Sequence, residues 1–397
     1  MRIAIFHDLP SGGAKRTLYE SMKRLSQRHT LDVFTLSCAN RDFCDLREFT
    51  SAEFVFPFAP AKLFGSPFGR LNQLQRWLDI KRLDRLSKRI AKQIDAGKYD
   101  LVFAQPCMWT QAPLVLQYLR TPTVYYCHEP PRNLYETAVR TVATNLSVRD
   151  RLDRYDPLIR LFVSTARHVD QASTRAADLV LVNSVFIRDR VKEIYGIDSI
   201  ISYHGVDTDV FRPGSMNGQK YVLSVGAILP HKGYDFLIES FGHVDPAVRP
   251  SLRLIGNMNN PSEQTLLAAL AKEKGVDLQI EVGVDQNTLV RRYTEALFIA
   301  YAPYNEPFGL VPLEAMSCGK PVVGINEGGV KETVVDHLTG FLVERDAHKF
   351  GKALEHLLSD PALAQEYGKN GRAHVMKNWS WDAAVTKLEE NMAQAIR

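Results

Sequence analysis

The chain has 397 residues, 45% hydrophobic and 10% aromatic, enough for two domains with separate cores and too apolar for a disordered polymer. Its five cysteines are odd in number and form no CxxC pair, which speaks against a disulfide framework or structural zinc and fits reduced thiols in the cytoplasm. The net charge of +4 is uneven: residues 1–205 hold 30 Lys and Arg against 21 Asp and Glu, the remainder 19 against 24. The first half is therefore the one expected to meet an anionic partner, a phospholipid surface or lipid-phosphate acceptor before nucleic acid, unless the excess is simply a solvated surface. No apolar run reaches the roughly 18 residues of a membrane helix, and no basic-plus-apolar leader precedes the first strand, so a cytoplasmic location is expected.

In chain order, Arg2–Phe6 reads as a buried strand, SGGAK as a glycine loop, and the following segment as a helix with Leu18, Met22 and Leu25 at helical spacing. LDVFTL and EFVFPF are further strands. The Phe- and Pro-rich loop Pro57–Gly69 leads into a helical segment, Leu71–Ile94, in which seven basic residues alternate with Leu and Trp. Two readings stay open for it: an amphipathic segment lying on an anionic membrane, or an ordinary sheet-covering helix whose basic stripe is weakened by Asp79 and Asp84. YDLVFAQ and TPTVYYCHE are strands with a short helix between them, and a helical stretch runs past Arg149 to Ala176. In ADLVLVNSVFIRDR a strand passes to a helix that Ser184 is placed to cap.

The βα rhythm restarts after Ile201–Gly214, giving an expected division into residues 1–205, a linker 206–218, a second domain 219–380 and a closing helix 381–397 that packs back on the first domain. Short apolar strands, each followed by a Gly-, Asn- or Asp-containing loop and a helix, specify an α/β protein with two doubly wound, Rossmann-like sheets facing a central cleft.

Ligands of such sheets bind beyond the carboxyl ends of the strands. The stretch YNEPFGLVPLE sits at such an end, with Glu306 and Glu314 flanking a glycine-containing segment that opens a helix; two acids there suit vicinal hydroxyls of a sugar or ribose, and the helix start suits phosphate. The bland alternative is that both acids only cap and solvate the helix. There is no GxGxxG after a strand and no P-loop, which disfavours a dehydrogenase or a P-loop kinase. In VGAILPHKG a strand ends at Gly226 and Lys232–Gly233 opens a helix, placing an ammonium within reach of a diphosphate. Gly328–Gly329 begins another helix after the strand PVVGI, where paired glycines suit the exposure of amides to phosphate oxygens.

Taken together, EPFGLVPLE, HGVDTDVFRPG, VGAILPHKG, SCGKPVVGINEGGVKE and TGFLV, in this order, resemble the retaining glycosyltransferases of family GT4 (group 1), which have the GT-B fold. In the first half SGGA, YYCHEPPR and VNSVFIRDRV carry the resemblance, and CHEPPR is most similar to enzymes that use GDP-mannose. The resemblance implies a nucleotide-sugar donor, a carbohydrate or lipid-linked acceptor and no cofactor or metal. It gives Glu306 to the donor sugar, Glu314 to the ribose, and backbone amides of Phe308, Gly309 and Leu310 to sugar or phosphate. Gly12 and Gly13 approach the donor, His128 lies near the reacting centre, and Arg132 is a candidate for the acceptor. Residues Gly283–Leu289 are expected at the base. The chain departs from the family at Ala227, where an arginine is common, leaving Lys232 as the main cation for the diphosphate. A nucleotide-sugar epimerase on the same fold and a non-catalytic nucleotide-sugar binder remain as alternatives.

Overall fold

A computed structural model describes residues 1–65, 68–136, 156–214, 220–258 and 260–396. The chain divides into two units, one formed by Met1–Tyr203 with Val385–Arg397 and the other by His204–Ala384.

The first unit is built on β1 (Arg2–Asp8), β2 (Thr30–Leu36), β3 (Ala52–Phe56), β4 (Leu101–Cys107), β5 (Thr123–Cys127), β6 (Leu179–Val182) and β7 (Ile200–Ile201). They form one parallel sheet in the order β3-β2-β1-β4-β5-β6-β7. Apart from its first residue β1 is wholly buried, as are all of β4 and β5. That is why these segments read as unbroken apolar runs: helices cover both faces of a parallel sheet. The helices Asn72–Ala96, Pro157–Ala176 and Val185–Tyr195 contribute Ile80, Leu83, Ile90, Val169, Ile187 and Val191 to one continuous core. Ser184 caps its helix by accepting from the amide of Ile187. Part of the helical stretch expected from Arg149 onward lies outside the described residues; its described part is Pro157–Ala176, capped by Asp156. Most of the closing helix Trp381–Ala395 belongs to this unit, where Glu389 takes Arg28 and His29, each at 2.7 Å.

The second unit holds β8 (Tyr221–Val225), β9 (Ser251–Gly256), β10 (Leu278–Val282), β11 (Ile299–Tyr301), β12 (Val322–Ile325) and β13 (Gly340–Val343), all parallel, in the order β10-β9-β8-β11-β12-β13. Of the expected linker 206–218, residues 206–214 pack within the second unit and the rest lies outside the described residues. Phe211 is buried against Tyr293, and Val206 pairs with the Trp379–Ser380 segment of the same unit.

In each sheet the order reverses beside the first strand of the unit, between β1 and β4 and between β8 and β11. At such a reversal the helices that follow the two strands lie on opposite faces, so a crevice opens at the carboxyl ends. The loops after β1, β4, β8 and β11 are therefore the positions where each unit is shaped to take a ligand.

Candidate active site

In the second unit the reversal brings together two loops that are 74 positions apart at Lys232 and Glu306. After β8 the chain turns at Gly226, whose carbonyl accepts from the Tyr234 hydroxyl at 2.8 Å, and a short 3-10 turn, Pro230–Lys232, precedes the helix Tyr234–Gly242. After β11 the chain runs through Tyr304, whose amide is held by the His231 carbonyl at 2.8 Å. The outcome is an ion pair: Lys232 Nζ donates to Glu306 Oε2 at 2.8 Å, with both side chains less than one-fifth exposed. Tyr301, on β11, also hydrogen-bonds Glu306, and burial raises that phenol well above its ordinary pKa, so it stays a donor. Sequence reasoning found the acid and the base but not that they touch.

The strand before this loop is short: of the apolar run Ala296–Pro303 only Ile299–Tyr301 pairs as β11. The carbonyls of Ala302 and Pro303 are instead taken by the Arg345 guanidinium at 3.0 and 2.9 Å. The same guanidinium forks onto Glu327 at 2.8 and 2.6 Å and lies 3.7 Å from the Tyr304 ring centroid. Arg345 thus ties the loop after β11 to the loop after β12. Nothing in its sequence context, LVERDAH, signals that role.

Gly328 and Gly329 also act in a way that composition does not reveal. Gly328 has φ +59, and a Cβ there would lie 2.4 Å from the Glu306 carbonyl oxygen; one on Gly329 would lie 2.5 Å from that of Pro307. The expectation that these glycines present amides to phosphate needs correcting for Gly329, whose N–H is donated to the Glu306 carbonyl at 2.7 Å. The paired glycines let two loops touch, and that contact fixes the backbone of Glu306.

Gly309 is left-handed at φ 111 and precedes the helix Leu310–Ser317, so Leu310 opens the first turn, where amides have no intrahelical acceptor. Phe308 is buried, with its ring edge-on to His204 and tilted against Trp379. Glu314, on the same helix, is 6% exposed and accepts from the Tyr293 hydroxyl at 2.7 Å. A charge-assisted bond of this kind contributes about 1.5–3 kcal/mol and sets the carboxylate's direction.

In the first unit, Gly12 stands at φ 149 immediately before the helix Gly13–Leu25, with open space where a side chain would project. His128 follows β5, and its Nε2 lies 3.1 Å from Oε1 of Gln105 on the neighbouring β4. With that oxygen as acceptor, Nε2 carries the proton and Nδ1 the lone pair. Burial drives the imidazole down to about 3, so it is neutral at physiological pH. Its ring is nevertheless only partly covered from solvent, packed at one side by Tyr126. Arg132 is engaged locally, with Nε 2.7 Å from Glu129 and Nη1 3.7 Å from Glu136. Beneath the Gly12 loop lies a cluster that sequence reading missed. Lys15 is 2% exposed, with its ammonium 3.5 Å from His7 Nε2, and burial lowers its pKa to about 8. Asp8, raised by burial, accepts from the Cys38 and Cys107 thiols. All five cysteines are free.

Comparison with known proteins fits this geometry. Residues 206–374 match the family described as Glycosyl transferases group 1, and residues 11–210 match Glycosyltransferase Family 4. The D-inositol 3-phosphate glycosyltransferase of Streptomyces bingchenggensis is 29% identical over 56% of this chain and 54% of its own, so the match spans about half of that relative. The alpha-1,3/1,6-mannosyltransferase ALG2 of Mus musculus is 26% identical over 70% of this chain and 69% of its own. Among solved structures, sucrose-phosphate synthase from Thermosynechococcus elongatus has a TM-score of 0.73 at 21% identity, covering 99% of this chain and 98% of that one. Anabaena HepE, in complex with UDP and glucose, has a TM-score of 0.71 at 19% identity, covering 99% and 100%. With two Rossmann-like units and both family matches in register with them, the chain belongs to glycosyltransferase family 4 and has the GT-B fold.

Proposed function

We propose that this chain moves a sugar from a nucleotide diphosphate sugar, GDP-mannose or a UDP-sugar, to a hydroxyl of a carbohydrate or lipid-linked acceptor in polysaccharide or glycolipid synthesis at the cytoplasmic side. The anomeric configuration is retained and no metal is required. The observation that carries the reading is the Lys232–Glu306 pair at the strand-order reversal. In the free protein the two charges neutralise each other. A donor offers better partners to both: its diphosphate takes the ammonium of Lys232, and its sugar hydroxyls donate to the released carboxylate of Glu306, while Glu314, aimed by Tyr293, accepts from the ribose. Gly226 admits the diphosphate beside Lys232, and the backbone of Phe308, Gly309 and Leu310 lies against the sugar and phosphate.

The acceptor oxygen bonds to the anomeric carbon on the face the diphosphate leaves. The bond from that carbon to the phosphate oxygen breaks with its electron pair on the diphosphate, which takes the acceptor's proton. Lys232 stabilises the charge that grows on the leaving group, the kind of preorganised interaction whose removal costs about 10²–10³ in kcat. In the first unit the neutral His128, with its Nε2–H donated to Gln105, accepts a hydrogen bond from a hydroxyl through Nδ1 and supplies no proton at neutral pH. Gly12 and Gly13 open a helix towards an anion, and Arg132, balanced between Glu129 and Glu136, is the candidate for the acceptor.

The named mannosyltransferase relative supports a mannosyl donor, and the neighbour in complex with UDP and glucose supports a UDP-sugar. Family membership favours transfer over epimerisation, and Ala227 is the one feature that encourages a binding protein without catalysis. Labelled GDP-mannose and UDP-glucose, incubated with cell-derived glycan and lipid acceptors, test the reading. Label moving to acceptor with release of nucleoside diphosphate, unaffected by chelator, is expected. Label recovered only in an altered nucleotide sugar would establish epimerisation instead.

A further inference from the structure

The helix Asn72–Ala96 covers the first sheet with Ile80, Leu83, Ile90 and Ile94, and its opposite side is not the polar surface such a helix ordinarily shows. Leu71, Leu74 and Leu78 are exposed on that outer side, and Lys81, Arg85, Arg89 and Lys92 continue the same stripe at spacings of three and four. Among the described residues the ion pairs on this helix are Arg76 and Arg82 with Asp79 and Lys88 with Asp84, so the four stripe cations have no carboxylate partner. Asp79 does not weaken the stripe as its sequence position implies. It is buried, and it accepts from the Ala61 amide at 3.1 Å besides its two arginines.

That bond has a second effect, which is to hold the preceding loop against the helix. Asn72 adds two more, accepting from the Phe64 amide at 2.7 Å and donating to the Phe64 carbonyl at 3.1 Å. The loop so fixed displays Leu63, Phe64 and Phe68, the last 62% exposed, beside the three leucines. An apolar end joined to a cationic stripe has the chemistry of an interfacial helix. A protein partner fits less well, since interface centres are depleted in lysine. No helix among the described residues is long and apolar enough to cross a membrane, so contact would be at the surface.

We propose that this face docks on an anionic lipid bilayer, with Phe64, Phe68, Leu74 and Leu78 entering the headgroup region and Lys81, Arg85, Arg89 and Lys92 facing the lipid phosphates. The loop leaves β3 at its carboxyl end, so the apolar turns lie at the same edge of the sheet as Gly12 and His128. If the transferase reading above holds, the lipid surface lies beside the loops that meet the acceptor, which is the arrangement a membrane-borne acceptor needs. The docking itself does not rest on that reading.

Sedimentation of the full chain with vesicles tests it without any assay of catalysis. Binding to phosphatidylcholine vesicles containing 30% phosphatidylglycerol is expected, with little binding to pure phosphatidylcholine and release at high salt. At about 1 kcal/mol per cation, equivalent to roughly fivefold, the triple substitution Lys81→Gln, Arg85→Gln, Arg89→Gln should weaken partitioning about 100-fold. Phe64→Ser with Phe68→Ser, at exposed loop positions, should weaken it while leaving the unfolding temperature unchanged. Equal binding to neutral and anionic vesicles, or none to either, would overturn the proposal. So would a dimer in solution that the Phe64→Ser, Phe68→Ser variant abolishes, because the face would then be covered by a second copy.

Discussion

Lys232 Nζ stands 2.8 Å from Glu306 Oε2 across the strand-order reversal of the second unit, and the two charges form an ion pair. On the proposed mechanism each must exchange that partner for the donor. Glu306→Gln keeps the volume but loses the charge and half the acceptor capacity, so transfer should fall by about 10²–10⁴-fold with the unfolding temperature nearly unchanged. Steady-state rates at saturating donor check this; near-full activity would remove Glu306 from the site.

Arg345 is predicted to matter for a different reason. Its planar fork serves the carbonyls of Ala302 and Pro303 and the Glu327 carboxylate together, which an ammonium cannot do. Arg345→Lys should therefore raise KM for the donor several-fold with a smaller change in kcat, because the loop carrying Glu306 is held less firmly. Equal kinetics in the two proteins would show the loop to be fixed by its other contacts.

Gly328→Ala places a methyl 2.4 Å from the Glu306 carbonyl at a left-handed backbone position. The two loops must separate, at a cost of about 1–3 kcal/mol. Thermal unfolding and donor binding should both suffer, whereas Gly12→Ala, strained only in its backbone, should leave the second unit's donor affinity intact.

Tyr293→Phe removes the hydroxyl that aims Glu314. The buried carboxylate then loses a charge-assisted partner, with an expected loss of about 1.5–3 kcal/mol in stability or donor binding. Calorimetric titration with nucleoside diphosphate separates the two.

Burial lowers the bases His7, His128 and Lys15, which makes stability rise with pH, and raises Asp170 to about 6, which works the other way between its ordinary 3.8 and about 6. His128 is held near 3 against an ordinary 6.5, so from pH 6.5 downward the unfolded chain binds a proton that the folded one refuses. Lys15 is lowered to about 8, so between its ordinary 10.5 and about 8 the unfolded chain again binds more protons. In their windows His128 and Lys15 each make stability rise with pH. Lys15→Met should stabilise the protein below pH 8 and lose that advantage near pH 10.5, as unfolding in denaturant at several pH values will show. A Lys15→Met variant that is less stable at pH 7 would mean that the ammonium has a structural partner.

How far the sequence discloses all this depends on range. The strands β1, β4, β5 and β8 were legible because burial on both faces leaves an unbroken apolar signature. The site acids were legible because Glu306 and Glu314 lie eight positions apart in one loop-helix segment. The contacts that position them were not, since Tyr293, Tyr301 and Arg345 reach the site through the fold, and no local pattern marks a tyrosine or arginine for that work. Gly328–Gly329 shows the same limit in another form: the pair was visible, but whether its amides serve a ligand or a neighbouring loop is decided by the approach of Glu306 and Pro307. Asp79 likewise read as a surface acid diluting a basic stripe, and only the bend of the chain at Ala61 buries it.

The central claim is that Lys232 receives the donor's diphosphate, and thermal unfolding with GDP and UDP tests it most directly. A nucleotide at 100 times its Kd stabilises the folded state by about 2.7 kcal/mol, so the native chain should unfold several degrees higher with one of them, and Lys232→Ala should lose most of that shift. An undiminished shift in Lys232→Ala would contradict the account.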